Sequence, residues 1–247
     1  MKDWYNNEEF WEKLEPFLFD SERQNAAAPE VDKIISLLKL SGKESVLDLC
    51  CGPGRHTLAF ARRGFNVMGV DRTERYLERA KNSADVRGLK INYVKSDMRE
   101  FKKENSFDTA LMMFTSFGYF DNPDDDRQVL KNIYASLKKN GYLLIESAGR
   151  EIIKRTFQPR DWREVDGNFL LEERDIDLLW PQIKNRWIVI EDGIKYEFNL
   201  SIRLYSAGDL SGLLSECGFG EIKVYGNLSG VPYDENAERL VVVAVKK

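Results

Sequence analysis

The stretch VLDLCCGPGRH, residues 46–56, decides how this chain is read. Val46, Leu47 and Leu49 form a short apolar run that suits a strand buried on both faces. Gly52-Pro53-Gly54 breaks the run, and Leu58, Ala59, Ala61 and Arg62 begin a helical pattern that stops at Gly64. Two adjacent cysteines and the chain's single histidine, His56, stand at this strand-to-helix turn. They pose a choice between metal or redox chemistry and a backbone that must turn closely around a ligand.

The cysteine chemistry does not support the first option. Neighbouring residues in a strand point in divergent directions, so a bond between Cys50 and Cys51 would strain the backbone. Cys50, Cys51, Cys217 and His56 reach the ligand count of a zinc site but lack its paired Cys-x-x-Cys spacing, so no metal is expected. The cysteines are read as small strand-tip residues that allow close approach.

Working outward, FNVMGVD (65–71) is a second buried strand with an acid at its carboxyl end. TERYLERAKNSAD (73–85) follows, with Tyr76, Leu77 and Ala80 on one helical face. The unit is β-α-β, and in open α/β sheets ligands bind at the carboxyl ends of the strands. Asp71 follows Gly52 by 19 residues, the spacing that lets a carboxylate hold a ribose hydroxyl pair, so an adenosine-containing ligand is expected. A nicotinamide dinucleotide fits less well. Thr57 stands where a third glycine would allow close helix packing, and Pro53 removes an amide donor. The plainer reading is that Asp48 caps the turn and Asp71 caps the next helix.

Composition narrows the partners. Of 247 residues, 37 are Lys or Arg and 41 Asp or Glu, a net charge of −4 with both signs mixed along the chain. A broad basic face for nucleic acid is not expected. MKDWYNNEEF at the start has no apolar signal core, and no run is long enough to span a bilayer, so a soluble cytoplasmic protein without membrane contact is expected.

With VLDLCCGPG, GVD, then Ser96-Asp97-Met98 after the third strand and the apolar run ALMMF, the chain resembles the class I S-adenosylmethionine-dependent methyltransferases from about Val46 to Ser147. The helix and hairpin of 207–247 fit as well. Within that superfamily it is similar to small-molecule and amino-sugar N-methyltransferases, and to a bacterial and archaeal group with a similar FTSFGYF segment (114–120). The resemblance implies an α/β fold: a Rossmann-like, doubly wound, seven-stranded mixed sheet with S-adenosyl-L-methionine as cofactor. It implies that Asp48 orders the loop, that Gly52 and Gly54 admit the amino acid part of the cofactor, and that Asp71 with Arg72 beside it serves the ribose. Asp97 and the backbone of Met98 would read the adenine edge, and Phe114 would lie beside the sulfonium. Cys50, also placed in the cofactor site, departs from the family pattern by replacing the loop's first glycine.

Other segments elaborate this frame. Asp124 to Lys139 is expected as a helix with Val129, Leu130, Ile133, Tyr134 and Leu137 inward, and GYLLIES after Gly141 as the fifth strand. Asn122 as N-cap, Pro123 at N1 and acids in the first turn explain the 121–126 cluster more simply than a cation site. From Trp162 to Tyr205 the runs WREVD, FLLEERDIDLL, QIKNRWIVI and YEFNLSIRLY, with an Asp192-Gly193 turn, read as an antiparallel insert. The division is thus 1–150 with 205–247 for the cofactor domain, including a helical cap over 1–40, and 151–204 for an inserted β subdomain that is a lid or the surface of a homodimer. Phe10, Trp11, Leu14 and Phe17 share one face of the cap helix. Insert, cap and the 226–239 connection would enclose a pocket suited to a compact acceptor.

The fourth-strand segment MMFTSFGYF lacks the Asn/Asp-Pro-Pro-Tyr type of amino-methylating nucleic-acid enzymes, and no Pro-Cys nucleophile follows it. Phe117, Tyr119 and Tyr233 are candidates for the substrate pocket, and packing of the loop onto the sheet explains the aromatics of FTSFGYF equally well. The expected reaction is methyl transfer to N or O of a small molecule, with His56 or Tyr119 as the candidate bases for an oxygen nucleophile. The rival readings are a non-catalytic S-adenosylmethionine sensor and a nicotinamide oxidoreductase.

Overall fold

The computed structural model describes residues 3–176 and 182–247. Two helices lead, α1 (Glu8–Leu18) and α2 (Ser21–Leu38). The frame then runs β1 (Ser45–Leu49), α3 (Arg55–Ala61), β2 (Asn66–Asp71), α4 (Glu74–Asp85), β3 (Asn92–Lys95), β4 (Phe107–Met112), α5 (Pro123–Ser136) and β5 (Leu137–Ser147). After α6 (Arg150–Thr156) come β6 (Arg160–Val165), β7 (Asn168–Ile176), β8 (Gln182–Glu191) and β9 (Ile194–Arg203). The chain closes with α7 (Ala207–Glu216), β10 (Phe219–Tyr225) and β11 (Leu240–Lys246).

The seven-stranded sheet has the order β10-β11-β5-β4-β1-β2-β3. β1 pairs in parallel with both β2 and β4, so the strand order reverses there and opens a crevice at the carboxyl ends. β11 inserts antiparallel beside β5, which makes the sheet mixed. Val46, Leu47, Ala110, Leu111 and Met112 are completely buried, as strands covered on both faces require.

One boundary differs from expectation. The helix expected to reach Lys139 ends at Ser136, where Leu137 leaves to pair with Phe107. Ser136 Oγ accepts the Lys103 amide (3.0 Å) and ties this helix end to the loop before β4. The start of α5 behaves as capping predicts: Asn122 Oδ1 accepts the Asp124 amide (3.1 Å), and Asp124 and Asp125 stand in the first turn.

Asp126, fully buried, turns inward instead, accepting from Tyr205 Oη at 2.7 Å with Arg203 Nε at 3.3 Å. Burial pushes its carboxyl up to about 6, against the pull of Tyr205 and Arg203. Because the folded value exceeds the ordinary 3.8, the native state holds a proton between those limits that the unfolded chain has lost. This contribution to stability is full below about pH 4 and is lost as pH rises through about 6, by about 3 kcal/mol. Urea unfolding of the wild type and Asp126→Asn at pH 4 and pH 7.5 is expected to show the variant gaining on the wild type at the higher pH. A constant difference would remove the titration.

β6 to β9 form a separate four-stranded antiparallel sheet in sequential order. Asp192 and Gly193 both take positive φ (51° and 76°), as do Asp166 and Gly167 (51° and 78°), so both hairpins turn as Asp-Gly predicts. The expected second strand was drawn to Leu179, and its last residues lie outside the described residues. Phe198 and Leu200 are buried against Phe10, Leu14 and Phe17 of α1, which joins the cap to the insert. Ser201 of β9 is buried, and its carbonyl accepts the Trp4 indole N–H (3.0 Å).

Candidate active site

A cavity of about 470 Å³ opens at the carboxyl ends of β1, β2 and β4. Its walls include Asp48, Cys50, Gly52, His56, Asp71, Arg72, Asp97, Met98, Phe114 and Tyr119. Scattered over 72 positions of sequence, these residues meet because each follows a parallel strand.

The glycine loop shows why each residue type is needed. Gly52 has φ +55°, and a Cβ there would meet the Phe19 ring at 3.0 Å. Its amide donates to Asp71 Oδ2 (2.8 Å), while Asp71 Oδ1 accepts from Thr73 N (2.9 Å). Asp71 therefore braces both the loop and the turn that leads into α4, whose N-cap is Thr73, with one lone pair on each oxygen still free of these bonds. Gly54 does not line the cavity. A Cβ there would meet Tyr93 Oη at 2.8 Å and Ala80 Cβ at 2.9 Å, so this glycine serves the packing of β3 and α4 behind the loop. Asp48, 2% exposed, accepts from Thr57 Oγ1 at 2.5 Å, and burial raises its pKa.

Cys50 carries a positive φ of 64°, the left-handed conformation that a glycine would adopt without strain. Its thiol and that of Cys51 are pushed well up by burial, and all three cysteines are free. Cys50→Gly is expected to raise stability by about 1 kcal/mol in urea unfolding. A loss instead would mean that the Cys50 contact with Met98 Sδ (3.7 Å) outweighs the strain.

Electrostatics separate the remaining candidates. Asp97 is grasped by Arg99, whose Nε and Nη2 donate at 3.0 and 2.7 Å. Burial raises the Asp97 carboxyl, and the Arg99 bonds more than reverse it, so its pKa is lowered. Arg72 donates to the Tyr5 carbonyl and anchors the amino-terminal turn to the cavity rim. His56 Nε2 lies 2.7 Å from Glu30 Oε2, which also accepts from Arg55 Nη1 (2.6 Å). Tyr119 packs on Trp4 at 4.9 Å between ring centroids, and burial pushes its phenol well above the ordinary range.

Two expected pocket residues lie elsewhere. Phe117, 3% exposed, packs on Tyr205 with centroids 5.2 Å apart, because the chain turns inward before Gly118. Tyr233 donates to Glu151 Oε2 (3.0 Å) and lies against Gly149 outside the cavity. The 226–239 connection reaches the cavity through Arg239 instead.

The strain at the β4 tip and several wall residues had no signal in the pattern. Phe114 and Thr115, in succession, take positive φ (59° and 57°) although neither is Gly or Asn. Glu146 Oε2 accepts the Phe114 amide (2.7 Å) and Glu146 Oε1 pairs with Arg239, whose Nη2 reaches Thr115 Oγ1 (3.2 Å). From the other side come Trp4, Trp11 and Arg23, and from the inserted sheet Asp161, Arg163, Glu172, Arg174, Trp187 and Leu200. Among the described residues no cluster of three or more His, Cys, Asp or Glu converges as a metal site. Among them no helix is long and apolar enough to cross a membrane.

Comparison with known proteins agrees with this geometry. Residues 46–141 match the family model described as a methyltransferase domain. A protein of Geobacillus sp. (strain WCH70) described as a methyltransferase is 25% identical over 229 residues, covering 87% of this chain and 90% of that one. The glycine/sarcosine N-methyltransferase of Parasynechococcus marenigrum (strain WH8102) is 28% identical over 208 residues, covering 81% and 72%. The crystal structure of an S-adenosylmethionine-dependent methyltransferase from Clostridium acetobutylicum ATCC 824 superposes with a TM-score of 0.77 at 17% identity, covering 98% of both chains. The chain carries a methyltransferase domain on the fold of the S-adenosylmethionine-dependent methyltransferases.

Proposed function

We propose that this enzyme methylates an amine or hydroxyl of a small-molecule acceptor held beneath the inserted sheet. The observation that carries the reading is enclosure. The cavity of about 470 Å³ is roofed by α1 and the insert, a volume in the usual range for compact ligands and not an open groove for a polymer. The similarity to a glycine/sarcosine N-methyltransferase supports a small amine. In this reading 151–204 acts as a lid rather than a dimer surface, and the three free thiols suit a cytoplasmic setting.

The walls fit the cofactor. The free lone pairs of Asp71 suit a ribose diol, the Gly52 backbone admits the amino acid part, and Met98 with Asp97 borders the place for the adenine. Bound there, S-adenosylmethionine supplies a methyl group already activated on a sulfonium. The chain's own work is alignment and exclusion of water. The aromatic wall of Trp4, Trp11 and Tyr119 excludes solvent from the acceptor side. His56, held by Glu30, orders α2 against the loop helix, and Tyr119 keeps its proton through the neutral range. A neutral amine needs neither as base.

Tyr119→Phe is accordingly expected to retain kcat within about threefold, with no change in the pH profile between 6 and 9. A loss of a hundredfold or more would make the hydroxyl a catalytic group. The first test of the whole reading is calorimetric titration with S-adenosylmethionine, S-adenosylhomocysteine and NADH. Binding of the first two alone is expected, followed by an acceptor screen read as S-adenosylhomocysteine release.

A further inference from the structure

Arg163 stands on β6, on the face of the insert that looks into the cavity. The other charges of that face are matched: Arg174 pairs with Glu172 at 2.7 Å and lies 3.9 Å from Asp161. Arg163 has no such partner among the described residues, and its Nε is buried without a hydrogen bond. Trp187 Nε1, on β8, is a second buried donor without a partner. Among the buried side-chain atoms left unsatisfied in the described residues, these two belong to cavity walls, and both are donors. Leaving a buried donor unpaired costs about 1–3 kcal/mol, more when it is charged. The missing element is therefore an acceptor of hydrogen bonds, and beside an unpaired guanidinium it is an anion.

The neighbourhood strengthens the point. Arg23 also lines the cavity, and its closest carboxylate is Asp20 at 4.0 Å. Burial first, then the Arg163 charge, hold its guanidinium below the ordinary value, although Asp20 and Glu172 pull the other way, so the positive charges on this wall are only partly balanced. The cofactor's own carboxylate is one source of negative charge. Arg23 leans over Phe114 (4.7 Å) beside Arg55 of the loop helix (5.5 Å), on the glycine-loop side of the cavity. Arg163 comes from β6 at one edge of the inserted sheet, and Trp187, Leu200 and Ile202 line the same cavity from β8 and β9.

We propose that Arg163 receives a carboxylate of the methyl acceptor, so that the acceptor is an amine or hydroxy compound carrying a carboxylate on an apolar body. The proposal rests on the reading of this cavity as a joint cofactor and acceptor site. Arg163 sets acceptor choice, and the bidentate carboxylate contact directs the nucleophile toward the β4 tip.

The test uses the full chain saturated with S-adenosylhomocysteine, titrated with matched pairs that differ in the acid alone: acetate and acetamide, phenylacetate and phenylacetamide. Phenylacetate is expected to bind roughly tenfold or more tightly than its amide. Arg163→Gln abolishes that preference while leaving S-adenosylmethionine affinity unchanged and without lowering the melting temperature, and Arg163→Lys restores part of it. No carboxylate preference in any pair overturns the proposal, as does a preference that survives Arg163→Gln. Weakened S-adenosylmethionine binding in Arg163→Gln assigns the residue to the cofactor's carboxylate and also overturns it. Failure of S-adenosylhomocysteine to bind the wild type at all would instead strike the functional reading beneath it.

Discussion

Glu146→Ala lowers the stability of this protein by about 3 kcal/mol and weakens S-adenosylmethionine binding with it. Glu146 is 7% exposed and serves two partners at once, the Phe114 amide through Oε2 and Arg239 through Oε1. Removing the carboxylate orphans a backbone donor and leaves Arg239 unpaired. Because Arg239 remains a third exposed, water recovers part of its charge, and the loss falls at the lower end of the range for broken buried pairs. The geometric consequence is larger than the pair. Phe114 and Thr115 hold left-handed backbone at a cost of about 1 kcal/mol or more each, and such strain persists only while its surroundings enforce it. Without Glu146 the β4 tip relaxes and carries Phe114 from the cavity wall. Glu146→Gln keeps an acceptor for the Phe114 amide and is expected to lose less than half as much. Urea unfolding and calorimetry check both effects; a change below 1 kcal/mol in Glu146→Ala would show that the tip holds itself.

Asp71→Ala is the second large effect, a loss of roughly a hundredfold in S-adenosylmethionine affinity, about 3 kcal/mol. The carboxylate is proposed to hold a ribose hydroxyl pair, and it certainly accepts the Gly52 and Thr73 amides. The substitution therefore also destabilises the fold, by about 1–3 kcal/mol for the amides left unpaired. Two ligands separate binding from bracing. Affinity for adenosine falls in parallel with S-adenosylmethionine, whereas adenine, lacking the ribose, binds the variant and the wild type alike. Unchanged adenosine affinity, measured well below the melting temperature, would reduce Asp71 to a brace.

How far the chain could be read before folding depended on the range of the interactions. Strands at Ser45–Leu49 and Asn66–Asp71 and the turn between them were legible because burial, glycine and capping act within a few residues. So was the Asp192-Gly193 hairpin of the insert, where backbone conformation is set by two residues. The end of α5 was missed by a turn because Leu137 is drawn off by Phe107, a partner 30 positions earlier that periodicity does not register. Phe117 and Tyr233 were read as pocket residues from loop position and aromatic character. The inward turn at Gly118 and the Tyr233–Glu151 bond, both tertiary, take them elsewhere.

The same division applies to the site. By itself the sequence determined the loop end of the cavity: glycine where the backbone turns closely, and acids at successive strand tips, all consequences of one local β-α-β rule. Only the tertiary structure decided the opposite wall. Arg163, Trp187, Arg239 and Trp4 come from four distant segments, and each is an ordinary residue in its own stretch. What makes them a wall is the packing of α1 against the insert and the pull of Glu146 on a strained strand tip. These are long-range contacts whose free energy appears only when the whole chain is folded.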